Sequence, residues 1–325
     1  MVTQSRPSAP TLPKAASRMT LASVRGGKIT APLRVLLYGV EGVGKSTFAA
    51  GAPAPIFLGP EDGTHHLDVQ RFPPPESWEE VVEAVRVLTS DPHDFRSLVI
   101  DTVDWLEPLV WQQVCDGANV ESIEDFGYGK GYVKALDTWR VLLAALERLR
   151  AARKLHVVLL AHSQIKTFKN PEGEDFDRYT MKLHDKAGGL LKEWSDCVLF
   201  ANHEEFAQKD SKTKRVRGIS TGVRLIYTQR HAAYDAKNRY DLPESLPLAW
   251  EDFAAAVEKR EPSDPAKLRV AIEEKIKLLT TPLAKEAANA LGRAGVDAVK
   301  LAHLHNWCIA KVDWNNVQGT REVQS

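Results

Sequence analysis

The residues Gly39-Val40-Glu41-Gly42-Val43-Gly44-Lys45-Ser46-Thr47 set two glycines, a lysine and a hydroxyl at the spacing G-x-x-x-x-G-K-S, directly after the apolar run Val35-Leu-Leu-Tyr38. That pattern does phosphate chemistry. Glycines let backbone N–H groups turn inward around phosphates, and the following helix offers its positive N-terminus. The lysine reaches the β/γ oxygens, and the hydroxyl ligates Mg²⁺. ATP and Mg²⁺ are the expected cofactors, with residues 39–47 as the nucleotide loop and Ser46 as one metal ligand.

Two further acids stand at strand ends. Ser97-Leu-Val-Ile is a short buried strand that delivers Asp101. A carboxylate so placed holds Mg²⁺ beside the loop, although the same position also serves as a helix cap. Ala54-Pro-Ile-Phe-Leu58 is a strand that ends in Gly59-Pro-Glu61-Asp62. Glu61, with Asp62 as the spare, is either a base for water attack or a solvated turn acid.

Other polar groups have places near such a centre. Leu155-His-Val-Val-Leu-Leu-Ala-His162 is a third apolar strand, leading to Ser163 and Gln164. An amide at a strand tip can sense hydrolysis, which makes Gln164 a switch candidate. Asp235-Ala-Lys237-Asn-Arg239 carries two cations flanking one residue, and such a pair could reach a neighbouring subunit's nucleotide. Asp125-Phe-Gly-Tyr128-Gly-Lys130-Gly-Tyr132 mixes glycines, aromatics and a lysine, as suits either unpaired bases or a plain helix connection. Residues 166–185 read as a long polar loop with Lys166, Lys169, Arg178 and Lys182 among several acids.

The elements that must position these groups follow from periodicity. Ser77 and Glu80 form a capping box for a helix through Trp78, Val81, Val85 and Leu88. A second helix runs through Trp105, Leu106 and Val110. A third covers residues 133–153, with Leu136, Trp139, Leu142 and Leu146 on one face. Lys186–Trp194 is a short helix, and strands follow at Asp196–Ala201, Glu205–Gln208, Arg215–Ile219 and Gly222–Arg230. The hairpin cations Lys209, Lys212, Lys214, Arg215 and Arg217 suit a charge-protected edge or a phosphate-contacting ribbon.

Residues 1–24 predict a disordered basic tail with Arg6, Lys14 and Arg18; Arg25 and Lys28 follow it. After Glu261-Pro-Ser-Asp-Pro265 the chain turns Ala/Leu/Lys-rich. Leu268, Ile272, Ile276 and Leu279 keep helical spacing, as do Leu283, Ala287 and Leu291. The expected domains are therefore 1–24, an ATPase core over 25–260, and a helical module over 261–325. His303 and His305 near Cys308 read as structural.

Lys and Arg number 43, as do Asp and Glu, so net charge selects no partner. The three cysteines are far apart and fit neither a disulfide framework nor a zinc knuckle. No apolar run suggests a membrane span or signal peptide, so a soluble cytoplasmic protein is expected.

Taken together, residues 30–255 resemble the RecA-type recombinase ATPase core, and more closely the phage-encoded ATP-binding proteins of the Sak-type single-strand annealing group. The resemblance implies an α/β RecA-like core with a mostly parallel central sheet extended by antiparallel strands. It implies Glu61 as the residue that activates water and Gln164 as the relay from nucleotide to DNA. Lys237 and Arg239 fall on the paired trans-acting cations. The two DNA loops fall on 126–132, with Tyr128, Lys130 and Tyr132, and on 166–185, with Lys166, Lys169, Arg178 and Lys182. The implied partners are single-stranded DNA and further copies of the chain, as a homo-oligomer in ring or filament form. A single-strand DNA-binding protein is an additional candidate partner, and host cytoplasm is the implied compartment. Gly59 departs from RecA, which has an acid there, and the tail and C-terminal helices match no RecA segment.

The expected function is DNA-stimulated ATP hydrolysis coupled to annealing or strand pairing. The alternative is an AAA-type or helicase-loader-like ATPase acting on a replisome protein. A guanine-reading Asn-Lys-x-Asp motif does not occur, which argues against a GTPase.

Overall fold

The computed structural model describes residues 20–24, 26, 31–61, 63–209, 216–258, 265–279 and 281–294, with 304 and 308. Arg6, Lys14, Arg18, Arg25, Lys28, Asp62, Lys212, Lys214, Arg215, His303 and His305 lie outside the described residues. The chain divides into two compact units, Met1–Ala31 and Pro32–Ser325. In the first unit Leu21–Ser23 makes one 3₁₀ turn, in which Ser23 Oγ donates to the Thr20 carbonyl at 2.6 Å.

The second unit begins with β1 (Arg34–Gly39) and α1 (Lys45–Ala50), then β2 (Pro55–Leu58), β3 (Gln70–Arg71) and α2 (Trp78–Ser90). It continues with β4 (Ser97–Ile100), α3 (Val103–Ala118), α4 (Lys130–Arg153), β5 (His156–Phe168) and β6 (Phe176–Met181). Then come α5 (Asp185–Trp194), β7 (Cys197–Lys209), β8 (Val216–Tyr227), β9 (Ser245–Pro247), α6 (Trp250–Val257), α7 (Pro265–Ile276) and α8 (Thr281–Ala294). The sheet order is β3-β2-β4-β5-β1-β7-β8-β9, with β6 paired to β5 alone. From β3 to β7 every pairing is parallel, and β8 and β9 add antiparallel at one edge. The expected α/β class, a mostly parallel sheet extended by antiparallel strands, is what the chain forms.

A parallel strand covered on both faces needs apolar residues in succession, because alternate side chains enter opposite layers. β1 does this. Leu36 and Tyr38 enter the layer built with α2, α3, α4 and α5, while Val35 and Leu37 enter the layer with α1 and α6. Trp139 of α4 is fully buried in the first layer, and Phe48 and Phe253 pack in the second. The polar start of β1 is fastened rather than packed. Arg34 donates through Nε to Asp196 Oδ2 at 3.1 Å and through Nη2 to Asp196 Oδ1 at 2.5 Å, and Nη1 pairs with Glu147 at 3.1 Å.

A third apolar cluster gathers Ile272 of α7, Ala287 and Leu291 of α8, and Leu304 and Cys308. Of the positions read from spacing, Ile272, Leu279, Ala287 and Leu291 belong to it, and Ile276 and Leu283 pack against it.

Three readings need correction. Residues 166–185 are not a long loop. β5 runs on through Phe168 and pairs antiparallel with β6 in the register Gln164↔Thr180 to Phe168↔Phe176. A projecting hairpin satisfies its backbone through its own ladder, so it needs little apolar content. The strands expected separately at 196–201 and 205–208 are one strand, β7, and those at 215–219 and 222–230 fuse into β8. Trp105 is 51% exposed although Leu106 and Val110 are fully buried, because α3 turns it away from the sheet.

Candidate functional site

The nucleotide loop follows the C-terminal end of β1, flanked by β5 and β7. Gly39 is required by closeness, since a Cβ there would overlap the Ala201 carbonyl of β7. Gly42 and Gly44 adopt φ of 72° and 106°, which side-chain-bearing residues rarely take. The turn ends at Gly44, and α1 begins at Lys45. Lys45 is buried, and its Nζ donates to the loop's own carbonyls, to Val40 at 3.1 Å and Gly39 at 3.3 Å. Burial lowers its pKa, against the pull of Asp101, Asp104, Glu61 and Glu41.

Asp101 comes from β4, two strands from β1 with β5 between them. It nevertheless reaches the loop, for Ser46 Oγ donates to Asp101 Oδ2 at 2.6 Å. Burial raises the Asp101 pKa, and the Ser46 hydroxyl and Lys45 draw it back. A hydroxyl and a buried carboxylate at hydrogen-bond distance, beside a glycine-cradled loop, suit a small hard cation that completes its shell with phosphate oxygens and water. Ser46 and Asp101 thus fit the Mg²⁺ ligand set expected of them.

Glu61 lies on the same side. Its carboxylate is 3.5 Å from Thr102 Oγ1, at the long limit of a hydrogen bond, and its charge acts on both Lys45 and Asp101. The β2 end comes this close because Gly59 has no side chain; a Cβ there would overlap the Asp101 carbonyl. Glycine at position 59 therefore has a steric reason in this chain.

Gln164 sits beyond the parallel part of β5, and its amide donates to the Met181 carbonyl at 2.8 Å. Lys237 and Arg239 are not brought to the loop within the chain. Lys237 Nζ donates to the Lys192 carbonyl, in the last turn of α5. Arg239 pairs with Asp196 at 3.4 Å. Asp196 holds Arg34, which starts β1, so the pair stands at the opposite end of that strand from the loop.

The DNA-contact candidates divide into two groups. Tyr128 is wholly exposed at a left-handed turn between Gly127 and Gly129, and exposed Lys130 opens α4. The Tyr132 ring is covered instead, stacked on His184 at 4.2 Å and 6°. In the β5–β6 hairpin, Lys166 pairs with Asp185 at 2.7 Å and Lys169 with Asp175 at 2.5 Å, while Lys182 is exposed. Arg178 is buried, lies over the Phe168 ring at 5.3 Å and donates to the Tyr234 carbonyl at 3.0 Å, and among the described residues its Nε has no partner. A cavity of about 260 Å³ is lined by Lys166, Phe168, Lys169, Arg178, Lys192 and Asp235. One of about 460 Å³ shares Phe168 and Arg178 and adds Phe176, Arg230 and His231.

Two residues near the loop carry no sequence signal. Arg224 of β8 sets its guanidinium 3.4 Å from the Val43 carbonyl, beside Gly44. Asp104 of α3 engages His162 of β5 by two hydrogen bonds.

A phosphate loop on a central parallel strand, closed on a carboxylate from another strand of the sheet, defines a P-loop nucleotide-binding protein of the ATPase class. The chain belongs to the AAA domain family, whose sequence profile matches residues 31–240. No curated protein matches it. Among solved structures, the crystal structure of the RadB recombinase is similar at 13% identity, over 62% of this chain and 82% of that one, with a TM-score of 0.36. Among the described residues no helix is long and apolar enough to cross a membrane.

Proposed function

We infer that the protein is a Mg²⁺-dependent ATPase that binds single-stranded DNA and promotes annealing or strand pairing in recombination, replication or repair, as in the phage Sak-type group it resembles. The observation that carries the nucleotide half is the 2.6 Å bond from Ser46 to Asp101, beside a buried Lys45 whose Nζ donates to two loop carbonyls.

The loop's backbone N–H groups bind phosphate, and Lys45 exchanges the Gly39 and Val40 carbonyls for phosphate oxygens. Ser46 and Asp101 hold Mg²⁺, which neutralises developing charge on the phosphates when bound. Glu61 orients the attacking water and accepts its proton. The DNA half rests on the cation-lined hairpin cavities, with Lys166, Lys169 and Arg178 of their walls and the exposed Lys182 on the backbone, and Phe168 and Phe176 as stacking faces. Tyr128 and Lys130 form the second contact. Gln164, tied to Met181, carries nucleotide state into that hairpin.

In a homo-oligomer, ring or filament, Lys237 and Arg239 serve a neighbour's nucleotide after leaving their own partners. The tail over 1–24 and the helical module over 261–325 flank the ATPase core. A single-strand DNA-binding protein is a further partner, and the cytoplasm is the compartment.

The test is ATP hydrolysis with and without single-stranded DNA, in wild type, Glu61→Gln and Lys45→Ala. Stimulation by DNA that both substitutions abolish supports the reading. Equal turnover with and without DNA counts against its DNA half.

Membership of the AAA domain family favours one second reading, a helicase-loader-like ATPase acting on a replisome protein. Hydrolysis that responds to a protein partner and not to DNA would select it.

A further inference from the structure

One face of the β5–β6 hairpin looks onto the body of the protein. The ladder sets Gln164 opposite Thr180, Lys166 opposite Arg178 and Phe168 opposite Phe176, and residues paired across a ladder leave it on the same side. Lys166, Phe168, Arg178 and Thr180 of that face line the cavity of about 260 Å³. Lys192 of α5 and Asp235 complete its polar wall, and Tyr38 of the central strand β1, 1% exposed, closes its inner end.

Two polar atoms of this face lack partners. Arg178 is buried, and its hydrogen bonds to the His231 carbonyl at 3.3 Å and the Tyr234 carbonyl at 3.0 Å both leave from Nη2. Among the described residues its Nε bonds to nothing, and neither does the buried Oγ1 of Thr180, two residues further along β6. Buried polar groups are nearly always paired, so two orphans on one wall call for an acceptor from outside the chain. The charge has the matching sign. Asp235 alone answers both Lys192 at 2.7 Å and Arg178 at 3.5 Å, so cation exceeds acid where α5 meets the hairpin. Lys166 and Lys169 have acids of their own, Asp185 and Asp175.

Size and shape narrow the ligand. The cavity falls below the roughly 300–1,000 Å³ of sites for drug-sized molecules, so one compact oxyanion with a few waters fills it. A phosphodiester must enter such a site and leave it again. A phosphomonoester hangs from a single ester bond, suits a blind end, and carries about 1.5–2 negative charges near neutral pH. Room for the rest of a nucleotide adjoins it. Phe168 and Arg178 also line the cavity of about 460 Å³, where the Phe168 and Phe176 rings, 5.2 Å apart, offer a stacking face.

We propose that the smaller cavity binds a phosphomonoester, the phosphate of a terminal nucleotide, with Arg178, Thr180 and Lys192 as its donors and the attached nucleoside in the adjoining aromatic cavity. The bearer is the end of a single strand or a free nucleoside monophosphate, and the same donors serve both. The site is separate from the nucleotide loop, and no covalent bond changes there. For a strand end, the inference deepens the DNA half of the proposed function and rests on it.

The test is fluorescence anisotropy with single-stranded oligonucleotides of one sequence, carrying a phosphate at the 5′ end, at the 3′ end or at neither. It is run on wild type, Thr180→Val, Lys192→Met and Lys45→Ala, with melting temperature as the control for folding. Thr180→Val keeps the shape and removes the hydroxyl, Lys192→Met removes the charge, and Lys45→Ala reports any end phosphate held by the nucleotide loop instead. The expected result in wild type is a preference of about tenfold for a phosphorylated end, from charge-assisted hydrogen bonds. Thr180→Val should lose part of that preference, Lys192→Met most of it and Lys45→Ala none. Equal affinity for all three oligonucleotides, or a preference that only Lys45→Ala removes, overturns strand-end binding and leaves the DNA reading standing. If Lys192→Met does not fold, Thr180→Val decides. Calorimetry with thymidine 5′-monophosphate against thymidine, on Lys45→Ala with and without Lys192→Met, reads the free source. Binding of the monophosphate alone, weakened by Lys192→Met, supports the cavity even where no oligonucleotide binds and the DNA half falls by itself. No phosphate preference in either experiment overturns the proposal.

Discussion

Ser46 and Asp101 are joined by a 2.6 Å hydrogen bond although they stand 55 residues apart and belong to elements on either side of β5. The bond joins the carboxylate at the end of β4 to the phosphate loop, so the two residues expected to ligate Mg²⁺ lie at hydrogen-bond distance from one another. In Asp101→Asn the amide keeps the shape but loses the charge. The Mg²⁺ concentration for half-maximal nucleotide binding should rise about tenfold or more, read by fluorescent-nucleotide titration at several Mg²⁺ levels. An unchanged Mg²⁺ requirement would remove Asp101 from the ligand set.

Glu107 of α3 accepts the His184 backbone N–H through both carboxylate oxygens, at 3.1 and 3.0 Å, and burial raises its pKa to about 7. The folded state therefore holds a proton that the unfolded state releases near pH 4.5. Stability from this group is full below that value and lost as pH rises through about 7. The loss amounts to roughly 3–4 kcal/mol. Glu107→Gln should melt within a degree or so of wild type at pH 5 and a few degrees higher at pH 8, by thermal scans across pH. A parallel shift at both pH values would refute the linkage.

Asp196 is buried and takes hydrogen bonds from the Arg34 backbone and guanidinium at the start of β1. Asp196→Ala leaves that guanidinium half-buried without its main partner. The cost should be ~3–5 kcal/mol in urea unfolding, as for other broken buried pairs.

Lys166 and Lys169 are bound to acids at the surface, and such pairs contribute little to stability. Replacing both by alanine should leave the melting temperature nearly unchanged. The salt dependence of single-stranded DNA binding should fall by about 0.7 in log–log slope for each phosphate that the protein no longer neutralises. A slope equal to wild type would exclude the hairpin from the DNA path.

What the sequence makes legible depends on burial. β1, β4 and the first half of β5 read as apolar runs because both faces are covered, and the loop glycines read by type. The β5–β6 hairpin does not announce itself in this way. Lys166-Thr-Phe-Lys169 and Phe176-Asp-Arg-Tyr-Thr180 mix charge with aromatics at an edge where the ladder, not burial, holds the chain. Arg224 is invisible for another reason: it meets Val43 across 181 residues, and nothing local marks it. Asp104 and His162, 58 residues apart, are likewise paired only by the β4–β5 neighbourhood.

Tyr38 is the residue before the first loop glycine, and its ring lines the 260 Å³ hairpin cavity. Its hydroxyl donates to the Asp235 carbonyl at 2.7 Å and accepts the Asp235 N–H at 2.9 Å. Asp235 in turn holds Lys192 and Arg178 on the cavity wall. One aromatic side chain is thus a shared partition between two rooms. A change at position 38 has two addresses, and sequence drift on either side of that partition must answer to the other.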